Sequence, residues 1–251
     1  MTSKTAGMDL AGALLAASRV ELKFGALVVL DQVDFALTPG EALGIVGPNG
    51  AGKTSLLNVL AGSYRASAGT IYFRGKDVST LPAAERCRQG IARSHQVPRP
   101  FTGMSVFENL MTAAAHGGGL TGDAAYARCI DSLKLCGMMH IANRRTEALG
   151  LLDRKRLEMA RALATGPAVL LLDEIGGGLM DAEAAQLVET IREIRRREIA
   201  IVWIEHIVHV LLQVIDRLVC MDAGRVIADG DPSQVMADAQ VIDAYLGSAR
   251  P

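Results

Sequence analysis

Three glycines, a lysine and a threonine share residues 47–54, which read GPNGAGKT. Glycines let a backbone curl until successive N–H groups face a chain of phosphates. Lys53 supplies a positive charge for the β- and γ-phosphates, and the Thr54 hydroxyl suits Mg²⁺ as a ligand. A strand-like segment precedes the loop and a helical segment follows it, so a helix dipole would add to anion binding. Because the whole phosphate-loop pattern is matched in this context, a chance glycine turn is a poor explanation.

Two acids, Asp173 and Glu174, end the apolar segment AVLLLDE. Buried carboxylates are costly, so this placement favours a functional role over strand-end acids turned to solvent. Asp173 can hold Mg²⁺ through a water opposite Thr54, and Glu174 can orient and polarise an attacking water. The next apolar segment, IVWIEH, ends at His206. A lone histidine is usually structural. However, the carboxyl ends of parallel strands form the ligand side of an open sheet, and His206 follows such an end. His206 is therefore a candidate donor to the γ-phosphate.

The elements that would position these residues follow from the apolar pattern. Residues 19–46 alternate as strands do, and residues 102–148 are alanine-rich and helical, with a glycine break at 117–119. Further along, the pattern predicts a helix at 153–165, a buried strand at 168–173, a helix at 181–197, a buried strand at 199–204, a helix from 206, a hairpin at 217–231 and a short terminal helix. Apolar strands that alternate with helices predict an α/β fold whose parallel sheet is covered on both faces.

Composition limits the class of protein. The chain has 251 residues, 50% of them apolar, and a net charge of −1. The absence of a basic excess argues against stable binding of DNA or RNA, and the apolar runs are too short to span a bilayer. We interpret residues 1–18 as an N-terminal tail, because no basic cluster precedes its apolar stretch as in a secretory signal. Four cysteines without CxxC spacing indicate reduced thiols rather than a disulfide or a zinc site.

The motifs, taken in order, resemble those of the nucleotide-binding subunits of ABC transporters over about residues 20–247. The resemblance implies an ATPase domain at 19–251. That domain would have a P-loop NTPase core of ABC type with an antiparallel β subdomain, and an inserted helical subdomain at about 97–165. Within the family, the segments RSHQVPRPF, SVFENL, GRVIADGDP and VIDAYLG are similar to the ATPase subunits of branched-chain amino-acid importers.

The resemblance also implies roles for single residues, with ATP and Mg²⁺ as cofactors. Phe24 matches the aromatic position that stacks on adenine, Gln96 the loop that contacts Mg²⁺ and water and senses the membrane subunit, and Asp181 a loop that crosses a dimer interface. The residues implied as catalytic are Lys53, Glu174 and His206. Nucleotide contacts are implied for Phe24, Gly47, Pro48, Asn49, Gly50, Ala51, Gly52, Lys53, Thr54, Ser55, Gln96, Gly150, Leu151, Leu152 and Asp181. Metal contacts are implied for Thr54, Gln96 and Asp173.

The segment EALGLLDRKR at 147–156 departs from the family pattern. The LEMARAL that follows aligns with a family helix, but Leu-Gly-Leu-Leu-Asp replaces a Leu-Ser-Gly-Gly-Gln-like signature. In a head-to-tail dimer this helix would face ATP held by the other subunit. Gly150 lacks the serine hydroxyl, and one charge-assisted hydrogen bond is worth roughly 1.5–3 kcal/mol. Leu151 and Leu152 replace glycines and would be strained if their φ had to be positive.

Neighbouring residues add two expectations. Asp153 is expected to cap the helix N-terminus, or to repel a phosphate there, with its charge offset by the basic residues at 154–156. Ile175 stands where a proline commonly follows the glutamate in this family. We expect Ile175 and the glycines at 176–178 to loosen that loop.

Three interpretations of the altered signature follow. It is a tolerated variant in a normal ATPase, or a weak site in a heterodimer whose second ATPase subunit brings a regular signature, or the mark of an inactive regulatory subunit. The intact Lys53, Asp173, Glu174 and His206 argue against the third. The heterodimer is preferred over a homodimer, because the resemblance to branched-chain importers implies an assembly with two different ATPase subunits.

The resemblance predicts an ATPase subunit at the cytoplasmic face of the cell membrane, bound to integral-membrane permease subunits. It would drive import of a small polar solute, branched-chain amino acids or related amino acids and amides, delivered by a periplasmic or extracellular binding protein. Phe101, Met104 and Val106 either pack the helical subdomain or form a groove for the permease. The alternatives are a soluble non-transport ABC ATPase, whose coiled-coil insertion or tandem cassettes the chain lacks, and a P-loop kinase or switch. The latter would not need Gln96 or His206.

Overall fold

Ten strands form within residues 12–247, the part of the chain that this computed structural model describes. They are β1 (Leu15–Phe24), β2 (Leu27–Leu37), β3 (Ala42–Val46), β4 (Ala68–Phe73), β5 (Lys76–Asp77), β6 (Ile91–Arg93), β7 (Val169–Asp173), β8 (Ala200–Ile204), β9 (Arg217–Asp222) and β10 (Arg225–Gly230). An antiparallel sheet has the order β2-β1-β4-β5. A second sheet has the order β10-β9-β3-β8-β7-β6 and is parallel except for the β9–β10 hairpin. The predicted α/β fold is therefore confirmed.

The centre of the parallel sheet brings the predicted motifs to one edge. Every residue of β3, β7 and β8 is buried, as their continuous apolar runs predicted. β8 lies between β3 and β7, and its last residue, Ile204, pairs with Ile45 on one side and Asp173 on the other. Because the three strands are parallel, the segments that follow them all leave the sheet at the same edge.

Helices cover both faces of the parallel sheet. Within the described residues they are α1 (Lys53–Leu60), α2 (Ala83–Gln89), α3 (Val106–His116), α4 (Gly122–Leu135), α5 (Leu151–Ala164), α6 (Asp181–Arg195), α7 (Val208–Leu211), α8 (Pro232–Ala237) and α9 (Ala239–Gly247). One apolar core joins α1, the antiparallel sheet and one face of the parallel sheet. A second core lies on the other face and includes α3, α4 and α5, which pack on one another inside the segment predicted to be a helical subdomain.

Local signals account for several element ends. Helix α3 begins with a capping box, in which the Glu108 N–H donates to the Ser105 hydroxyl at 3.2 Å and the Ser105 N–H donates to the Glu108 carboxylate at 2.6 Å. Asp231 accepts from two N–H groups at the start of α8. The β9–β10 turn places Ala223 and Gly224 at positive φ, as a tight hairpin requires.

Two predicted boundaries are wrong. Strand β1 begins at Leu15, so residues 15–18 belong to a sheet and not to a tail; residues 1–11 lie outside the described residues. Leu15 and Ala17 are buried between β2 and β4, and this tertiary pairing gave no signal in the local pattern. The helix predicted from residue 206 is the four-residue α7, which begins at Val208.

Two predictions made from composition can be compared with the structure. All four cysteines are free, and burial raises the pKa of the Cys136 thiol to about 12. Within residues 12–247, no helix has both the length and the apolar character needed to cross a membrane.

Candidate nucleotide-binding site

The loop at residues 47–54 connects β3 to α1 in a shape that needs glycine. Gly47 has φ of +142°, and a Cβ there would overlap the carbonyl oxygen of Met221. Gly52 has φ of +95°, and a Cβ there would lie 2.8 Å from the carbonyl oxygen of Val29. The loop therefore passes too close to neighbouring backbone for any side chain at these two positions.

Lys53 is the first residue of α1 and is 6% exposed. Its ammonium group donates to the carbonyl oxygens of Gly47 at 2.7 Å and Pro48 at 2.9 Å. Burial lowers the pKa of Lys53, an effect that nearby Glu174 partly opposes. The N-cap, Gly52, makes no side-chain cap, so the first N–H groups of α1 point toward the loop as donors for an anion.

A cleft of about 350 Å³ opens on this loop. It is lined by Leu27, Val29, Asn49, Gly50, Ala51, Gly52, Lys53, Thr54, Ser55 and Glu174. Phe24 pairs with Leu27 in the β1–β2 hairpin, and its half-exposed ring meets Tyr64 edge-on with centroids 5.6 Å apart. The predicted adenine-stacking residue therefore lies beside the apolar end of the cleft. Tyr64 was missed, because a single aromatic residue in a turn after α1 carries no pattern.

Asp173 lies beneath the cleft, in contact with Thr54, which lines it. Asp173 ends β7 and is 1% exposed, and the Thr54 hydroxyl donates to its Oδ1 at 3.2 Å. A hydroxyl and a carboxylate are the hard oxygen ligands that Mg²⁺ prefers, so these two side chains fit the predicted metal site. Gln96, the third predicted metal contact, lies instead against Glu174.

Glu174 is held by hydrogen-bonding contacts, two with the segment 204–206 and one with Gln96. Its backbone has φ of +47°, and its N–H donates to the carbonyl oxygen of Ile204 at 2.9 Å. One carboxylate oxygen lies 2.8 Å from His206 Nε2, and the other accepts from the Gln96 amide. The structure thus brings together three residues, of which Gln96 and His206 are 78 and 32 positions from Glu174 in the chain.

The segment after Glu174 is anchored, in contrast to the expected loosening. Ile175 is buried, and the Gly176 N–H donates to the carboxylate of Glu205, which also accepts from Trp203 Nε1 at 3.2 Å. Burial raises the pKa of Glu205. Lys155, from α5, donates to the Glu174 carbonyl oxygen at 3.4 Å. The glycine run is therefore fixed by contacts that the sequence did not reveal.

The altered signature forms the start of α5 without strain. Gly150 is the N-cap, and Leu151 and Leu152 follow in the first turn, neither with a positive φ. The positive φ that would have strained the leucines is therefore absent. Asp153 lies inside the first turn and is not the cap. Of its basic neighbours, Arg156 is the one that pairs with it, at 4.0 Å.

The signature residues and Asp181 do not line the cleft of their own chain. Leu151 is 46% exposed, and Met180, which directly precedes α6, is 70% exposed. The Leu151 side chain lies 3.4 Å from where a Cβ on Gly178 would be, so these two segments form one outward surface. The Asp181 carboxylate makes no hydrogen bond or ion pair with other described residues.

Tyr245 is a contact to the phosphate loop that sequence reasoning missed. It belongs to α9, and its hydroxyl accepts from the Gly47 N–H at 2.9 Å. Burial raises the pKa of its phenol. The segment VIDAYLG had been noted for its resemblance, but nothing in its spacing points to a loop almost two hundred residues earlier.

A glycine loop after a buried parallel strand, with an acidic pair two strands away at the same edge, defines a P-loop nucleotide-binding domain. The sequence profile of the ABC transporter family matches residues 30–176, and that of the branched-chain amino acid ATP-binding cassette transporter family matches residues 225–250. The chain therefore belongs to the ABC transporter family, and it is an ATPase of that family.

Individual relatives are similar over nearly the whole chain. The high-affinity branched-chain amino acid transport ATP-binding protein LivG of Escherichia coli is 35% identical, over 94% of this chain and 98% of that protein. The lipopolysaccharide export system ATP-binding protein LptB of Haemophilus influenzae is 32% identical, over 93% of this chain and 97% of that protein. The crystal structure of an ATP-binding cassette of an ABC transporter in its ADP conformation has a TM-score of 0.86 and 29% identity, covering 94% of this chain and 99% of that one.

Proposed function

We propose that this chain is the ATP-hydrolysing subunit of an importer of branched-chain amino acids or related amino acids and amides. The observation that carries the proposal is the convergence of Gln96 and His206 on Glu174 at the phosphate end of a glycine-loop cleft. The similarity to LivG and the match of residues 225–250 to the branched-chain transporter family support the choice of solute. They favour import over the lipopolysaccharide export named for LptB.

The residues around the cleft divide the work of binding and hydrolysis. The N–H groups of residues 52–55, at the start of α1, and the Lys53 ammonium bind the phosphates, and Phe24 stacks on the base. Glu174 orients a water for in-line attack on the γ-phosphorus and polarises it as its proton is lost. His206 donates a hydrogen bond to the γ-phosphate and so stabilises charge that develops there.

Thr54, Asp173 and Gln96 are the residues that would hold Mg²⁺. The ion neutralises phosphate charge when bound. In this structure Gln96 Nε2 donates to Glu174, which leaves the Gln96 amide oxygen as the atom that would bind a metal. Loss of this hydrogen bond would free one oxygen of Glu174 to accept from a water.

We infer that this chain works as a dimer with a different ATPase subunit. The start of α5 still presents N–H groups and a helix dipole to a phosphate. However, Gly150 has no hydroxyl, and the side chains of Leu151 and Leu152 obstruct the approach of a phosphate to those N–H groups. Asp153 adds a negative charge in the same turn. A partner with a regular signature would complete this chain's intact phosphate loop, with Asp181 and the exposed Met180 at the shared surface.

The surface around Gln96 is the proposed contact with an integral-membrane permease at the cytoplasmic face of the membrane. Val97, Phe101 and Met104 are exposed large apolar residues that follow Gln96. Val106 is fully buried and packs the helical segment instead. Of the two expectations for Phe101, Met104 and Val106, packing therefore holds for Val106. The groove is proposed for Phe101 and Met104, and the exposed Val97 adds to it. Through the permease the motor would act with a periplasmic or extracellular solute-binding protein.

Nucleotide binding tests the site assignment. Lys53→Ala should reduce the affinity for a fluorescent ATP analogue by about a hundredfold, since it removes a charged hydrogen-bond donor from the phosphates. Lys76→Ala, on the short strand β5, is the matched control and should bind as the wild type does. Tight binding by Lys53→Ala would exclude the phosphate-loop assignment.

Light scattering tests the heterodimer. Purified Glu174→Gln should remain monomeric with Mg-ATP while it binds nucleotide, and should dimerise when the second ATPase subunit is added. A dimer of the chain alone would refute the need for a different partner.

Uptake of labelled leucine tests the solute. Cells that lack the gene should regain uptake with the wild-type gene and not with Lys53→Ala. Equal uptake without the gene would exclude this solute.

A further inference from the structure

Four polar residues form a ring of hydrogen bonds beneath the phosphate loop, closed through the backbone carbonyl oxygen of Thr54. They come from three elements: Thr54 and Asn58 from α1, Arg93 from β6 and Asp173 from β7. Thr54 and Asn58 are one helical turn apart, so they lie on the same face of α1. Strand β6 pairs in parallel with β7, with Arg93 in register with Leu171, two residues before Asp173 on the same side of the sheet.

Each link in the ring joins a donor to an acceptor. The Thr54 hydroxyl donates to Asp173 Oδ1 at 3.2 Å, and Arg93 Nη2 donates to Asp173 Oδ2 at 2.7 Å. Arg93 Nη1 donates to Asn58 Oδ1, and Asn58 Nδ2 donates to the Thr54 carbonyl oxygen at 2.8 Å. The two oxygens of Asp173 therefore have separate partners, one on α1 and one on β6.

Burial makes this arrangement specific. The Asp173 side chain is 1% exposed and that of Arg93 is 12% exposed. A buried carboxylate without a partner is costly, so Asp173 depends on Arg93 to balance its negative charge. The ring of hydrogen bonds fixes the orientation of its carboxylate. A lysine could supply the charge, but only a planar guanidinium can present two parallel donors to Asp173 and Asn58 at once.

We propose that Arg93 is a positioning residue for the metal-binding aspartate, with Asn58 as its anchor. Arg93 keeps Asp173 Oδ2 occupied and so turns Oδ1 toward the Thr54 hydroxyl, the only other predicted metal ligand it contacts within residues 12–247. The inference rests on the proposed Mg-ATP site. It adds two residues that no motif of the phosphate loop or of the acidic pair contains.

The same strand also reaches the second acid of the pair. Gln96 follows Arg93 by three residues and donates to Glu174, the neighbour of Asp173. The carboxyl end of β6 thus contacts both acids, one through Arg93 and one through Gln96. A shift of this strand end, which borders the proposed permease surface, would move the partners of both carboxylates together.

The test separates orientation from charge. Arg93→Lys keeps the positive charge but loses the two parallel donors, and Asn58→Leu keeps both charges but removes the anchor. We would measure binding of a fluorescent non-hydrolysable ATP analogue as a function of Mg²⁺, and again in EDTA. Both variants should need about tenfold more Mg²⁺ for half-maximal binding, as expected when the partner of a metal ligand is lost, with affinity in EDTA unchanged.

Arg88→Lys, an exposed arginine on α2, should leave the Mg²⁺ midpoint unchanged. A midpoint within about twofold of wild type, or below it, in a folded variant would overturn the positioning role. If Arg93→Lys does not fold, Asn58→Leu decides alone, since it leaves the ion pair in place. A wild type whose nucleotide binding ignores Mg²⁺ would instead contradict the proposed function.

Discussion

At the scale of single residues, the backbone of Glu174 is the informative feature. Its φ of +47° is a left-handed conformation that residues other than glycine adopt rarely. The conformation is stabilised by a hydrogen bond from its N–H to Ile204 and by the contact of its carbonyl oxygen with Lys155. Strain of this kind is tolerated where the surrounding structure holds a functional group in place.

Glu174→Gln should bind ATP normally and hydrolyse it at least about a hundredfold more slowly, because the amide cannot take up a proton. Steady-state phosphate release together with nucleotide affinity measures this. Glu189→Gln, an exposed glutamate on α6, is the control and should hydrolyse ATP as the wild type does. Turnover within about threefold of wild type would mean that another group orients the water.

Glu205→Gln tests the cost of a buried charge. Burial raises the pKa of Glu205, so the folded protein favours its protonated form. The stabilisation that protonated Glu205 gives the folded state is complete below the pKa of a glutamate in the unfolded chain, about 4.3. It is lost as the pH rises through the higher pKa of Glu205 in the folded protein. Glutamine mimics the protonated form, so the variant should be more stable than wild type near neutral pH, with the difference shrinking as pH falls toward about 4.

Urea unfolding at several pH values measures this difference. Glu85→Gln, on the exposed side of α2, should show no such pH-dependent gain. A Glu205→Gln variant less stable than wild type at neutral pH would show that the ionised carboxylate is needed by its donors, the Gly176 N–H and Trp203.

At the scale of elements, the helix that follows the phosphate loop is fixed at its far end by one side chain. Arg86, 1% exposed, donates to the carbonyl oxygens of Val59 and Leu60 at 2.7 and 2.9 Å. It also donates to Leu81 and Ser79 at 3.0 and 3.1 Å. Burial lowers the pKa of its guanidinium to about 10, so it stays charged at neutral pH and complements the negative end of the α1 dipole.

Arg86→Met should lower the free energy of unfolding by about 3 kcal/mol, because four carbonyl oxygens lose a charged donor while the apolar stem is kept. Urea denaturation measures the loss. Arg88→Met, two residues along the same helix and exposed, should change stability by less than about 0.5 kcal/mol. Equal stability of the two variants would mean that water replaces the guanidinium without cost.

At the scale of the whole molecule, the end of the described chain returns to its first functional loop. The Tyr245 hydroxyl accepts from the Gly47 N–H, so α9 supports the loop at the point where it leaves β3. The acceptor side of this contact lies in the segment matched by the branched-chain transporter profile, and the donor side lies in the segment matched by the general ABC profile. The contact therefore joins the two matched regions.

Tyr245→Phe should lower the free energy of unfolding by about 1 kcal/mol and weaken nucleotide binding severalfold, since the Gly47 N–H loses its acceptor. Calorimetry for nucleotide and urea unfolding measure the two effects. Tyr126→Phe, an exposed tyrosine that packs on Phe107 through its ring, is the control and should change neither. Unchanged affinity with reduced stability would restrict the role of Tyr245 to support of the fold.

The sequence by itself determined the features that depend on short stretches of chain. A phosphate loop with its strand and helix fits within some twenty residues, and an apolar run that ends in Asp173 and Glu174 is equally local. Backbone curvature, helix dipoles and the carboxyl ends of parallel strands then follow from general geometry. For that reason the α/β fold and the position of His206 at the same sheet edge as Glu174 could be predicted, whereas Gln96 was assigned from the resemblance to the family alone.

Only the tertiary structure decided which side chains support those residues. Arg93 meets Asn58 and Asp173 across 35 and 80 positions, and Tyr245 meets Gly47 across 198. Single polar residues at such separations leave no periodic pattern, because their partners are set by how helices and strands pack. Tertiary structure also decided the backbone of Leu151 and Leu152, which is helical and so avoids the positive φ that would have strained them.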